Sequence, residues 1–174
     1  MAAAACWNAP PTRLFAAISE PGVSRLIIDV RGNTGGQSDA GARIIQSVQN
    51  PPAAQVSRAR ERLHDENNGL LDYRGAAGSM RELVVDDKLI QPAPADTRFK
   101  GRVAVLIDEL TYSAGILFAT TMQDHKLATV VGRPTGGFAN QTDNMMPTRL
   151  PATGFTAFIA QPGWIERQLD APAS

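Results

Sequence analysis

Two short stretches carry residues whose types and spacing could do chemistry. Residues 31–36 read RGNTGG, and residues 109–114 read ELTYSA. Each follows a strand-like apolar run and leads into a helix-like one. In open α/β sheets, ligands gather at the carboxyl ends of strands, where such junctions lie. Ser113 would stand at the positive end of the following helix, near backbone N–H groups with no intrahelical partner. The same N–H groups can hold the oxyanion of a tetrahedral intermediate. A glycine loop adds more, because glycine lets the backbone come close to a ligand. A nucleophile, a donor from its own turn and a donor from a facing glycine loop form a minimal acyl-transfer site. The structural alternative stays open at this point: serine is a favoured N-cap, and RGNTGG can be an ordinary loop. The stretch does not have the GxGxxG spacing of dinucleotide binders, and the chain has no GxxxxGK[ST] phosphate loop.

These junctions need elements to position them. Residues 24–30, SRLIIDV, are too continuously apolar for a half-exposed strand and predict one covered on both faces, as in parallel sheets. A helix is expected over 38–48, a second buried strand over 102–108, a helix over 113–124 and a third strand over 127–132. Strand, helix and strand on short connections imply a right-handed βαβ unit, and hence the α/β class. Ahead of them, 12–20 (TRLFAAISE) predicts a helix bounded by prolines. Behind them, RPTGGFANQ is another glycine loop, and 145–161 predicts two strands about the turn 151–154. Residues 51–100 are polar, charged and glycine-containing. They are expected to form an insertion or connector with short helical pieces, within one domain spanning 1–174.

Composition excludes several classes. With 174 residues, 43% of them hydrophobic, a single core of ordinary size can form. Lys+Arg and Asp+Glu number 17 each. Zero formal charge gives no electrostatic case for nucleic acid or an anionic membrane surface. The single cysteine, Cys6, excludes an internal disulfide. No run can span a bilayer, and the start MAAAACWNAPPTR does not read as a signal peptide. No His/Cys/Asp cluster has metal-ligand spacing, and no cofactor is expected.

LIIDVRGNTGG followed by VAVLIDELTYSAGILFATTMQDHKLATVVGRPTGG resembles the tail-specific, or carboxyl-terminal-processing, serine proteases, which include tricorn-like and retinoid-binding-protein-like relatives. The resemblance covers about residues 14–164. It implies a Clp-protease/crotonase-like spiral core of ββα units with mostly parallel buried strands. It also implies hydrolysis of peptide or protein substrates, with a periplasmic or secreted setting. Ser113 matches the family nucleophile, and the Gly36 and Ala114 amides match the oxyanion donors. Asp29, Arg31, Asn33 and Gly35 match the loop that shapes the first donor. Where one branch of the family has a catalytic lysine, this chain has Phe138, and that branch's glutamate is Ile116. The lysine-free branch is therefore the better match. That branch takes a histidine from ahead of the glycine loop, and none stands there, so the chain reads as a core shortened at its N-terminus and without a PDZ domain. His125 reads as a helix-end cation, Asp124 as structural and His64 as a solvated residue. A peptide-binding module without catalysis is the second reading, and a crotonase-like acyl-thioester enzyme the last.

Overall fold

The computed structural model describes residues 2–6, 22–48, 51–56, 58–62, 76–84, 89–142, 145–160 and 163–166. It divides into two compact units, the first made of Met1–Gln55 and Lys88–Ala139, the second of Val56–Asp87 and Asn140–Ser174.

The first unit is built on a four-stranded sheet of β1 (Ala2–Cys6), β2 (Arg25–Asp29), β5 (Arg102–Ile107) and β6 (Thr129–Gly132), in that spatial order. Every pairing in it is parallel: β1 with β2, β2 with β5, and β5 with β6. Helix α1 (Asp39–Val48) follows β2, and α2 (Ala114–Asp124) joins β5 to β6. The α/β class with parallel buried strands is as the sequence predicts.

Alternation within the strands decides what the core contains. Leu26, Ile28, Val103 and Val105 point to one face and pack with Ile44, Ile45, Phe118 and Met122 of the helices. Residues 114–119 of α2 (AGILFA) are all buried, as a stretch of helix apolar on every side requires. The opposite face departs from expectation. Ile27 is 38% exposed and Val131 48%, so β2 is not covered equally on both sides. Two adjacent isoleucines show only that both sides of a strand are apolar, not that both are packed.

Residues 89–99 do not simply connect. Phe99 N–H donates to Ser47 O at 2.8 Å and Ala93 N–H to Gln46 O at 2.8 Å. These bonds satisfy carbonyls of the last turn of α1, which have no partner inside the helix.

The second unit is antiparallel. Its larger sheet runs β4 (Met80–Val84), β3 (Arg58–Arg62), β10 (Gly163–Glu166), β7 (Gln141–Thr142). Strand β8 (Met145–Arg149) pairs with β9 (Thr156–Ala160) as a hairpin, about the turn expected at 151–154. Strands β3 and β4 stand where the charged sequence predicts helical pieces. Their register sets Arg60 opposite Glu82, an ion pair at 3.6 Å. Charges three or four apart suggest helix, yet here they find their partners across strands. The helix predicted over 12–20 lies outside the described residues.

Candidate active site

The glycine loop begins where β2 leaves the sheet. Arg31 closes on Asp29 through three bonds: N–H to Oδ1 at 3.0 Å, Nε–H to Oδ1 at 2.9 Å and Nη2–H to Oδ2 at 2.7 Å. The two-pronged geometry fits a guanidinium and a carboxylate. Both side chains are largely exposed, so the pair sets shape more than stability. The Arg31 hydrogen bond holds the Asp29 carboxyl below its usual value of 3.8, against a smaller opposing effect of burial. A depressed carboxyl contributes at all pH above its unfolded value and ceases as pH falls through the folded one. The protection factor of the Arg31 amide against hydrogen exchange should therefore stay constant down to 3.8 and collapse only below it.

Asn33 organises the middle of the loop. Its Oδ1 accepts the Gly35 N–H at 2.8 Å, and its carbonyl accepts the Tyr112 N–H at 2.8 Å. Its Nδ2 is buried with no partner among the described residues. Gly35 and Gly36 then take φ of 111° and 126°, values that side-chain-bearing residues rarely adopt.

The second loop meets the first. Val30 N–H donates to Leu106 O at 3.0 Å, and the fully buried Thr111 hydroxyl donates to Val30 O at 2.9 Å. Asp108 Oδ1 accepts the Gly32 N–H at 2.9 Å and the Leu110 N–H at 3.1 Å. Ser113 follows, with φ 49° and ψ −119°. A β-carbon built on Gly35 would stand 2.5 Å from Ser113 Cβ and 3.1 Å from Ser113 Oγ. The two junctions, far apart in sequence, thus share one small volume. Ser113 precedes α2 but makes no side-chain capping bond, so capping does not explain it. A left-handed serine on a strand-to-helix turn resembles the strained elbow that presents a nucleophile, and such outliers cluster at functional sites. The N–H groups of Gly36 and Ala114 donate to nothing among the described residues.

A third loop, after β6, backs this arrangement. Tyr112 OH donates to Gly136 O at 2.8 Å. Side chains at 136 and 137 would collide with or press on Tyr112, Glu109 O and Ile116 Cδ1, which is why both are glycine. Arg133 pairs with Glu109 at 3.2 Å. Phe138 is 85% exposed, and Ile116 is buried. Tyr112→Phe removes one half-exposed hydrogen bond. It is expected to lower stability by about 0.5–1 kcal/mol, read as a shift in the urea midpoint at unchanged slope.

The remaining candidates lie elsewhere. His125 caps the far end of α2, with Nε2 3.0 Å from Ala54 O. Eleven residues of helix separate it from Ser113, a rise of roughly 16 Å. Asp124 lies at the same end. His64 is outside the described residues. Among the described residues no His/Cys/Asp/Glu group could hold a metal ion, and no helix is long and apolar enough to cross a membrane. Asp108 and Thr111 are site-building residues that the sequence reading did not single out. An aspartate ending a strand, three residues before a threonine, is the signal that could have found them.

The family model described as Peptidase family S41 matches residues 11–157. Among solved structures, mature CPAF complexed with lactacystin is similar at TM-score 0.65 and 16% identity, over 92% of this chain and 39% of that one. The photosystem II D1 C-terminal processing protease is similar at TM-score 0.53 and 19% identity, over 92% of this chain and 36% of that one. At these identities the likeness is one of fold, and the chain spans less than two fifths of the length of either structure.

Proposed function

The chain belongs to peptidase family S41, and from that premise we propose that Ser113 is the nucleophile of a serine peptidase acting on peptide or protein substrates. Ser113 Oγ attacks the scissile carbonyl carbon and loses its proton to a base. The carbonyl π pair moves onto oxygen, where the Gly36 and Ala114 amides receive it. Collapse expels the amine with a proton and leaves an acyl-enzyme, which water hydrolyses. Asp29, Arg31, Asn33 and Gly35 hold the Gly36 amide in place. The observation that carries this reading is the approach of Gly35 to a left-handed Ser113.

A second reading, a peptide-binding module without turnover, is favoured by a different observation. Among the described residues the Ser113 hydroxyl has no hydrogen-bond partner, and Phe138 and Ile116 are apolar where the lysine branch is polar. A fluorophosphonate probe separates the two. The peptidase reading expects one covalent adduct, located on Ser113 by peptide mass mapping. An unlabelled protein that still binds extended peptides would establish the binding module instead.

A further inference from the structure

Asp108 belongs to neither the glycine loop nor the nucleophile turn, yet it bonds to both. Its bond to Leu110 N–H is local, two residues away, and any turn of this kind could make it. Its bond to Gly32 N–H is not: the two residues are 76 apart in sequence. That 2.9 Å contact fixes the start of the glycine loop. One residue on, Asn33 O accepts the Tyr112 N–H, and two further on Gly35 lies against Ser113. The carboxylate thus sits at the root of the path that sets Gly36 against the serine. A second tie, Thr111 Oγ to Val30 O, is buried and does not depend on it. The threonine hydroxyl has one proton, and Val30 O at 2.9 Å takes it in preference to Asp108 Oδ1 at 3.3 Å. Removing the carboxylate therefore loosens the loop without opening the core.

We propose that Asp108 is a positioning residue for the Ser113 reaction, its carboxylate fastening the glycine loop to the nucleophile turn. The chemical part rests on the peptidase reading above, whereas the geometric part does not. Asp108→Ala should slow fluorophosphonate labelling about 10²-fold, the scale of an ångström's misplacement, with the thermal midpoint lowered by only a few degrees for the two lost N–H bonds. Asp108→Asn keeps an oxygen that can accept the Gly32 N–H, and should restore most of the rate. Peptide kinetics should show the loss in kcat rather than KM. Amide exchange at Gly32 and Tyr112 should accelerate in Asp108→Ala and not in Asp108→Asn. Wild-type labelling and exchange rates in Asp108→Ala would overturn the proposal. So would equal losses of rate and midpoint in both variants. If the wild-type protein takes no label, the peptidase reading fails, and the exchange rates alone decide the positioning claim: faster at both amides supports it, unchanged rejects it.

Discussion

Ser113→Ala is expected to lower peptide hydrolysis by about 10⁴-fold or more, the range seen when one member of a nucleophilic unit is removed. Its fold should be untouched, because the hydroxyl makes no capping bond and residue 113 is exposed. A companion variant separates chemistry from strain. Residue 113 stands at φ 49°, where any β-carbon is crowded, so alanine keeps the strain and glycine relieves it. Ser113→Gly should be equally inactive yet more stable by about 1 kcal/mol, the relieved strain less the added backbone entropy of the unfolded chain. Stability gained where activity is lost marks a conformation held for use. Wild-type hydrolysis by Ser113→Ala would show that the serine is not the nucleophile.

Gly35→Ala should be the most damaging single methyl in the loop. Its β-carbon would fall 2.5 Å from Ser113 Cβ and 3.3 Å from Tyr112 O, at a φ of 111°. The backbone alone costs about 1–3 kcal/mol in such a region. Relief of the contact must come from moving residues 112–113, whose position is tied through Tyr112 N–H to Asn33 O. Labelling of Ser113 should then fall by about 10²-fold or more. Gly22→Ala is the control: its φ is 86°, with nothing within 4 Å of the added carbon. It should lose stability through φ alone and keep the labelling rate. Equal labelling by both variants would mean that the Gly35–Ser113 contact has no part in reactivity.

Much of this was legible in the residues. The runs LIIDV and VAVLID, the glycine stretches after them and the apolar α2 could be placed because their periods and breakers are unambiguous. Strand β1 was not legible, since AAAAC has neither β-branching nor alternation, and only its pairing with β2 makes it a strand. The charged strands β3 and β4 were misread because cross-strand partners leave no mark in a local window. At the site, Ser113 and the glycines stood out through the family resemblance that their order and spacing carry, since alone each reads equally as a cap or a loop. Asp108 did not, because a polar residue after a strand looks like any loop residue until Gly32 is seen to donate to it. The left-handed serine is likewise a tertiary result, enforced by the loop packed against it.

The most direct test is a crystal structure of the protein after reaction with a peptidyl phosphonate. The expected result is a bond from Ser113 Oγ to phosphorus, with one phosphoryl oxygen about 2.7–3.1 Å from both the Gly36 and the Ala114 nitrogen. An adduct whose oxygens face solvent, with neither amide in reach, would contradict it.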